Sequence, residues 1–248
     1  MKIFTKILTA LTVLSIAIVP RTYAAEVVGE NGNYQLPDTA VNDGPKLSNG
    51  LRKSYWSTGV DGLILSSSLM KRNPTEDLTT LRFTGFFHLG YMYHYNFTTN
   101  FGLMVGPQIK NIGFIEQFGD YTIKRRVYTL GVPVGLNIGN IANRQYLTLG
   151  AGVDIALNYK VKTFLDGDKL YKDNEWFSKQ NNLIMPYAFV GMATKVGTFK
   201  LNYYLNNFFA SDAAMDDTNG TVPNYNIPDK VNLITLTFGF NISYKPRF

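Results

Sequence analysis

The sequence of 248 residues contains no cysteine. This absence excludes disulfide bonds, thiolate catalysis, cysteine-rich metal sites and a lipid-modified N-terminal cysteine. Histidine is scarce as well, since only His88 and His94 are present. Six residues along a strand separate these two by about 20 Å, which is too far for both to bind one metal ion. We therefore predict no metal site.

Long apolar runs are also lacking. The longest, Ile7 to Val19, follows two lysines and precedes the small residues Ala24 and Ala25. It is shorter than the ~20 residues of a spanning helix, so an export signal removed after Ala24 or Ala25 is favoured over an uncleaved anchor helix. No later run reaches ~20 apolar residues. The sequence predicts a signal peptide over residues 1–24 and no transmembrane helix.

A strong excess of one charge is the third feature that is missing. Three of the positive charges behind the formal +6, those of Lys2, Lys6 and Arg21, belong to the predicted signal. No block of basic residues occurs in the rest of the chain. A nucleic-acid partner is therefore not expected, because its binding needs a concentrated basic surface.

What the chain does have is strict alternation, which is clearest in its last eighteen residues, VNLITLTFGFNISYKPRF. Successive side chains of a strand point to opposite faces, so this stretch has one apolar and one polar face. It exceeds the ~5–6 residues of a typical strand and matches the ~9–11 of a strand that crosses a bilayer. The outward set is Ile234, Leu236, Phe238, Phe240, Ile242, Tyr244 and Phe248. We predict a closing strand of a barrel.

Seven similar stretches precede it. The sequence therefore predicts an all-β, eight-stranded, antiparallel up-and-down transmembrane β-barrel over residues 55–248. The connections alternate between short turns and longer loops, as in bacterial outer-membrane barrels. Residues 25–54 have no periodicity and are predicted to be a flexible periplasmic lead-in. A bulge is expected near Gly62, and the facing of the first and sixth strands stays open. A shift of register near Asn111 is expected to turn Ile112 and Phe114 outward.

A soluble, exported β-sandwich would also alternate. Three observations count against it. The apolar stripes hold six or seven residues on nearly every strand, their ends collect tyrosine and phenylalanine, and the opposite face carries glycine, threonine, asparagine and a few charges. Aromatic girdles and a polar lumen are typical of membrane barrels. The pattern therefore favours a location in the outer membrane.

Three stretches carry a family resemblance. They are STGVDGLILSSSL, YTLGVPVGLNIG with its central Pro133, and YLTLGAGVDIALNY. Over roughly Tyr55 to Phe248 the chain resembles the porin-family outer-membrane β-barrels of Bacteroidota type. The resemblance implies an eight-stranded barrel without a catalytic motif, and relatives that in some cases serve a secretion apparatus. The aromatic terminus at Phe248 is similar to the signal that the barrel-assembly machinery reads.

Ionisable side chains on the polar face are the candidate site. They must be paired or hydrated within a membrane span, so a hydrogen-bonded interior network is expected. Its predicted members are Arg82, His88, Lys110, Asp154, Lys160 and Lys200, with Tyr159 and Val161 assigned to the outward face. The network either lines a path for a small solute or plugs the lumen, and plugging is favoured at eight strands because side chains fill so narrow a barrel.

The loops are the second candidate. Thr163 to Asn182 carries Tyr171, Trp176 and Phe177, which either contact a partner or pack on the barrel rim. Ala210 to Lys230 holds four aspartates, but their spacing lacks a calcium-loop pattern, so a solvated acidic loop is expected.

An enzyme that modifies lipid A is the strongest alternative class. Such acyl chemistry needs a base near a serine or carboxylate at the outer leaflet, and neither histidine is level with Ser66, Ser67 and Ser68. We therefore expect no catalysis and no cofactor. The preferred prediction is a structural or interaction protein of the outer membrane, with lipid, the assembly machinery and envelope or secretion proteins as partners. A narrow channel for small solutes is the runner-up.

Overall fold

The computed structural model describes residues 45–47, 50–72 and 75–243, and side chains within these ranges except a few in the strands. The predicted signal, most of the lead-in and the terminal Phe248 lie outside them. The chain divides into two compact units, Met1–Asp43 and Gly44–Phe248, and all described residues belong to the second. Within them, no helix is both long and apolar enough to span a membrane.

Eleven strands form one antiparallel sheet. They are β1 (Ser54–Arg72), β2 (Thr75–Leu78), β3 (Arg82–Asn96), β4 (Phe101–Val105), β5 (Gln108–Phe118), β6 (Tyr121–Asn140), β7 (Gln145–Leu165), β8 (Asp168–Trp176), β9 (Ile184–Ala193), β10 (Thr198–Tyr204) and β11 (Lys230–Ser243). A short 3-10 helix, Ile141–Asn143, joins β6 to β7.

The hydrogen-bonded pairings return to their starting strand. β1 pairs with β3 on one side and with β11 on the other. From β3 the pairing continues through β4 and β5 to β6, and then through β7, β9 and β10 to β11. The sheet therefore closes into an antiparallel β-barrel, with β2 and β8 attached as hairpin arms to β1 and β7. Closure satisfies the backbone groups that an edge strand would leave unpaired.

Alternation sets which side chains face out. On β6 the even positions Leu130, Val132, Val134, Leu136 and Ile138 are exposed, while the odd positions between them are buried. The same division holds on β10 and β11, as their sequences predict. It also resolves β9, which is apolar at both parities. Its outward set is Ile184, Ala188, Val190 and Met192, and its inward set is Met185, Tyr187, Phe189, Gly191 and Ala193.

Two register predictions can be compared with the pairings. The bulge predicted near Gly62 is confirmed, because β1 changes register between Asp61 and Leu63 against both neighbours. The shift predicted near Asn111 is wrong, because β5 pairs with β6 without interruption from Gln108 to Phe118. Ile112 and Phe114 are consequently buried inside the barrel rather than facing outward.

A second bulge inverts the upper part of β7. Tyr128 pairs with Asn158 but the next residue, Thr129, pairs with Ala156, so Leu157 is the extra residue. Because a one-residue insertion exchanges the two faces of a strand, the alternation beyond Leu157 has the opposite sense. Tyr159 and Val161 are buried in the interior, and not outward as predicted.

The two rims differ as the loop lengths predict. Turns at one rim are short, and that rim is called the turn end. At the other rim, the loop end, β1 continues into the β2 arm and β7 into the β8 arm. The segment predicted as a loop from Thr163 to Asn182 is thus largely a hairpin. The connection from β10 to β11 has no strand, and residues 206–229 of it are called the cap loop.

Candidate functional site: a capped interior with two ion clusters

The interior at the loop end is apolar, and the cap loop completes it. Strand residues Ile112, Phe114, Ile123, Val127, Tyr159 and Val161 form one buried cluster with Phe208, Phe209, Val222 and Tyr225 of the cap loop. The Phe114 ring meets the Phe208 and Phe209 rings edge to face, at centroid distances of 5.2 and 6.3 Å. The cap loop therefore fills the mouth of the barrel instead of extending into solvent.

Arg125 lies at the centre of this cluster and is fully buried. Its guanidinium donates hydrogen bonds to both carboxylate oxygens of Asp217, at 2.6 and 2.8 Å. It also donates to Glu116 at 2.7 Å and to the Tyr225 hydroxyl at 2.7 Å. The Tyr225 hydroxyl donates in turn to Glu116 at 2.8 Å. Asp217 was predicted to belong to a solvated acidic loop, and the structure instead places it in this buried ion cluster.

The cluster binds the cap loop to the barrel wall, because Glu116 and Arg125 are on β5 and β6 whereas Asp217 and Tyr225 are on the loop. Burial alone would lower the pKa of Arg125, but Asp217 and Tyr225 raise it well above its ordinary value. A guanidinium that is always charged, bidentate to one carboxylate and bonded to another, is a geometrically specific anchor. Removing it would leave two carboxylates buried in apolar surroundings.

A second ion cluster lies deeper in the barrel, on the polar interior faces of β5 and β7. The Lys110 ammonium is 2.6 Å from Asp154, and both side chains are buried. The Tyr204 hydroxyl donates to Asp154 at 2.6 Å and accepts from Lys110 at 2.9 Å. The Thr129 hydroxyl donates to the same carboxylate at 3.2 Å. The Asp154 carboxylate also occupies the space that a side chain at Gly131 would need.

His88 joins this network through an amide. Gln108 donates to the Tyr187 hydroxyl, and its own amide oxygen is 2.9 Å from Nε2 of His88. The Lys110 ammonium lies 3.9 Å from the centre of the Tyr187 ring, a cation–π contact that links Tyr187 to the ion pair. The network thus spans the barrel from β3 to β9 and β10.

Toward the turn end the interior contains a cavity of about 70 Å³. Its wall includes Ser57, His88, His94, Met104 and Lys200. The Ser57 hydroxyl is 2.8 Å from Nε2 of His94, and the His94 ring stacks on Tyr55 with a centroid distance of 4.6 Å. A serine beside an imidazole is the arrangement of a nucleophile and its base. The cavity, however, is far smaller than the ~300 Å³ at which small-molecule sites begin.

The last part of the predicted lead-in packs against the barrel at the turn end. Leu51 is fully buried in a small cluster with Ile141, Tyr146 and Ala193. Asn96 holds the same segment, since its backbone donates to the Lys53 carbonyl at 2.7 Å and its amide to the Arg52 carbonyl at 2.8 Å. Residues 50–53 therefore pack against the barrel rather than leading freely away from it.

The structure brings together three of the six predicted network residues, Lys110, Asp154 and His88. Lys200 lies on the cavity wall nearer the turn end. The Arg82 guanidinium donates to Asn111 at 3.0 Å, away from the Lys110–Asp154 pair. Lys160 differs from the prediction, because the bulge at Leu157 puts it on the outward face, in register with Arg126.

Sequence reasoning missed the residues that complete both clusters. Glu116 and Arg125 lie on the polar parity of β5 and β6, and they would have been found if the register of β5 had been continued past Asn111. No sequence signal identifies Asp217, Tyr187 or Tyr204 as their partners, because these contacts join strands or loops far apart in the chain.

The aromatic residues of the β8 arm separate into two groups. Trp176 and Phe177 are 65% and 62% exposed, whereas Tyr171 is half-buried and packs against the loop-end cluster. Contact with a partner and packing on the rim were the two alternatives for this segment. The exposed pair keeps the first alternative open, and Tyr171 follows the second.

No protein-family model matches the chain, and no curated protein matches its sequence. Solved structures that are similar to it include two crystal structures. Ail, the attachment invasion locus protein of Yersinia pestis, seen with the heparin analogue sucrose octasulfate, is 14% identical over 76% of this chain and 97% of its own, with a TM-score of 0.33. CarO2 of Acinetobacter baumannii is 13% identical over 73% of this chain and 98% of its own, also with a TM-score of 0.33. Scores this low carry no argument, so fold and function rest on the strand pairings and side chains of this chain.

Proposed function

We propose that the protein is an outer-membrane β-barrel of eight strands whose role is structural or interactive rather than catalytic. The count of eight follows if β4 and β5 are two parts of one barrel strand. Both pair with β3 and with β6, and only Gly106 and Pro107 separate them. The arms β2 and β8 add no further strand to the ring, because β2 pairs with β1 on the edge that β3 uses and β8 pairs with β7 on the edge that β9 uses.

One observation carries this proposal: the exposed face of the sheet is apolar while much of its enclosed face is polar. Large hydrophobic side chains are exposed on β6, β7, β9, β10 and β11 alike. Lys110, Asp154, His88, Gln108 and Asn137 are buried inside. Water would make such an exposed face costly, since about 25 cal/mol is lost for each Å² of apolar surface left hydrated. Lipid removes that cost, and a closed antiparallel barrel is the β-structure that can span it.

The orientation that we propose puts the loop end outside and the turn end toward the periplasm. Short periplasmic turns and long external loops are the rule for such barrels. Trp56, Tyr91 and Phe101, exposed near the turn end, would then lie at the inner interface, where aromatic side chains are favoured. Assembly through the C-terminal strand that ends in Phe248 is part of the same proposal.

An obstructed lumen supports the non-conducting role. The cap loop fills one end of the described barrel, Leu51 packs against wall residues at the other, and the Lys110–Asp154 network crosses the middle. What remains for function is the surface, where Trp176 and Phe177 project from the β8 arm. We propose that this arm contacts other envelope proteins, such as components of a secretion apparatus.

Single-channel recording in planar bilayers tests this proposal. The purified protein should insert, as judged by its heat-dependent shift on electrophoresis, and yet give no discrete openings at moderate voltage. The double variant Trp176→Ser and Phe177→Ser should insert equally well. In the native envelope it should lose cross-linked proteins that the wild type captures, whereas Val196→Ser at a turn should keep them. Discrete openings of the wild type would overturn the proposal.

A narrow channel for small solutes is the second candidate, and the cavity favours it because His88, His94 and Lys200 contribute polar groups to its wall. Conduction would require the cap loop to move away from the barrel mouth. Freeing the loop with Asp217→Asn should then raise the open probability, while Asp212→Asn in the exposed part of the same loop should not. An enzyme is a third candidate, which the Ser57–His94 pair raises, but the proposed orientation puts this pair at the periplasmic end and away from lipid A of the outer leaflet. A lipid A-modifying enzyme would give altered lipid A masses on overexpression that disappear in His88→Ala or His94→Ala.

A further inference from the structure

The outward face of the barrel changes character at the loop end of β6 and β7. Below this level the exposed residues are aliphatic, ending with Leu130 and Ile155. Above it the outward positions of β6 are Tyr128, Arg126 and Lys124. Beyond the bulge at Leu157, the outward positions of β7 include Lys160 and Lys162.

The cations of the two strands lie directly beside each other. Arg126 is in register with Lys160, and Lys124 is in register with Lys162. The β8 arm continues the row, because Lys172 is in register with Lys162, and Lys169 with Phe164. We call this surface the basic face. Its members are Lys124, Arg126, Lys160, Lys162, Lys169 and Lys172.

The carboxylates of the β8 arm do not neutralise the basic face. Asp168 is in register with Leu165, Asp173 with Val161 and Glu175 with Tyr159, and these β7 residues are on the inward face. The charges that act most strongly on Lys160 and Lys162 are all positive. Burial and then the neighbouring cations, with Arg126 first, lower the pKa of both ammonium groups. Like charges directly opposite each other destabilise a sheet, so this arrangement is unfavourable unless an anion is bound.

Aromatic rings hold two of these cations in place. The Lys124 ammonium lies 4.6 Å from the centre of the Phe164 ring, and the Arg126 guanidinium lies 5.0 Å from that of Tyr128. Such cation–π contacts restrict the side chains without cancelling their charge. The basic face is therefore a positioned set of donors and not a row of freely moving lysines.

Its height fits the headgroup layer of a membrane. Two to four residues of a strand tilted by ~40° place Arg126 and Lys124 about 5 to 10 Å beyond Tyr128. The headgroup layer on each side of a bilayer is roughly 5–8 Å thick. If Tyr128 marks the edge of the hydrocarbon, as interfacial tyrosines do, Arg126 lies at the depth of lipid phosphates and Lys124 just beyond it, from where its side chain can reach back.

We propose that the basic face binds the phosphate groups of phosphorylated glycolipids in the outer leaflet, and this inference rests on the proposed membrane location. Arginine and lysine both bind phosphate oxygens through charge-assisted hydrogen bonds. Continuity with the apolar band argues for a lipid rather than a soluble anion, because acyl chains would cover Leu130 and Ile155 while the headgroup reaches the cations.

The test uses the full-length protein in detergent, with bisphosphorylated lipid A and its enzymatically dephosphorylated form as probes. Native mass spectrometry measures how much of each stays bound. We expect the wild type to prefer the phosphorylated form by about tenfold or more, since each cation near a charged lipid surface contributes to the free energy of binding. The fourfold variant Lys124→Gln, Arg126→Gln, Lys160→Gln and Lys162→Gln should lose this preference.

A matched control removes four exposed cations elsewhere. It carries Lys71→Gln, Lys179→Gln, Lys195→Gln and Lys230→Gln, and it should keep the preference of the wild type to within about twofold. Equal loss in the control would overturn the inference, as would a wild type that binds both lipids alike. Displacement of lipid A by inorganic phosphate at the same concentration would also overturn it, because the site would then be one for free anions.

Insertion into vesicles is measured on every variant through the heat-dependent shift. A wild type that fails to insert contradicts the proposed function. A wild type that inserts but binds the phosphorylated and dephosphorylated lipids equally contradicts this inference alone. If the fourfold variant fails to insert, the pair Lys160→Gln and Lys162→Gln replaces it, with Lys195→Gln and Lys230→Gln as its control.

Discussion

The two ends of the barrel interior are built from the same alternating strands but differ in how they are filled. At the loop end the strands present Ile112, Phe114 and Val127, and the charged group among them, Arg125, meets carboxylates from both the wall and the cap loop. Toward the turn end the wall is mixed, and His94, Ser57 and Lys200 surround a cavity together with apolar residues such as Met104. One end is sealed by packing and the other retains space.

The difference shows that position inside a barrel does not determine polarity. The polarity depends on which segment covers the interior. A loop that folds inward supplies apolar side chains and a carboxylate, so apolar wall residues are favourable there. Where no such loop enters, the wall satisfies its own polar groups across the lumen, as Lys110, Asp154 and Tyr204 do. Substitutions in each cluster test how far each end of the barrel depends on it.

The largest effect is expected for Arg125→Met. The variant keeps an unbranched apolar stem but leaves Glu116 and Asp217 buried without their cation, at a cost of about 3–5 kcal/mol in the free energy of unfolding. Urea unfolding in detergent measures it. The neighbouring outward variant Arg126→Met is the control and should change stability by no more than about 0.5 kcal/mol. Equal losses in the two variants would show that the loop end is not held by its ion cluster.

Lys110→Met should come next, with a loss of about 3 kcal/mol. One carboxylate is left rather than two, and Tyr204 and Thr129 still donate to it. Adding Asp154→Asn should restore part of the loss, since the unpaired charge is then gone. A double variant less stable than the sum of the single changes would contradict the pairing of these two residues.

Gly131→Ala should destabilise by about 1–3 kcal/mol, because the new methyl group would overlap the Asp154 carboxylate. The matched control is Gly85→Ala, where the nearest atom to the added carbon is 3.8 Å away. That change should be neutral or slightly stabilising, as alanine loses less conformational entropy than glycine. The comparison of the two melting curves isolates the space that the Lys110–Asp154 network needs.

The smallest effect concerns pH and the cap loop. Asp216 accepts hydrogen bonds from the backbone and hydroxyl of Thr218 and from the backbone of Gly220. Burial alone would raise the pKa of Asp216, but these hydrogen bonds bring it below its ordinary value. The contribution of Asp216 to the free energy of unfolding is therefore present above its unfolded pKa of about 3.9. It is lost as the pH falls through the lower pKa of the folded state.

The measurement is the urea midpoint of the wild type and of Asp216→Asn between pH 7 and pH 3. The wild type should be slightly more stable at neutral pH, and the difference should shrink below about pH 4. Asp212→Asn, which removes an exposed carboxylate of the same loop, is the control and should not reproduce this dependence. A difference that grows toward low pH would contradict the assigned role.

Alternation was sufficient to predict the outward faces of β6, β10 and β11, because uniform pleating relates each residue to the next. It predicted the facing of Lys110 and Asp154 for the same reason, and hence the centre of the interior network. Predicting which strands pair with those of Lys110 and Asp154 requires only the strand order. Short turns and antiparallel pairing determine that order.

Two features could not be predicted. The bulge at Leu157 adds a residue without any glycine or proline to mark it, so Lys160 and Tyr159 were assigned to the wrong faces. Ile112 and Phe114 were placed outward because apolar residues were assumed to face lipid. That assumption fails where a loop covers the interior, and no local pattern in residues 206–229 reveals that Asp217 and Tyr225 fold inward.

The extra residue at Leu157 also bears on how such a surface can change over generations. Loss of a single codon there would restore uniform pleating along β7 and exchange its two faces above that point. Two lysines would then enter an oily enclosure, while a tyrosine and a valine would replace them outside. One small deletion is therefore a shorter route to a different exterior than a series of separate substitutions, provided that the enclosure can accommodate the arriving charges.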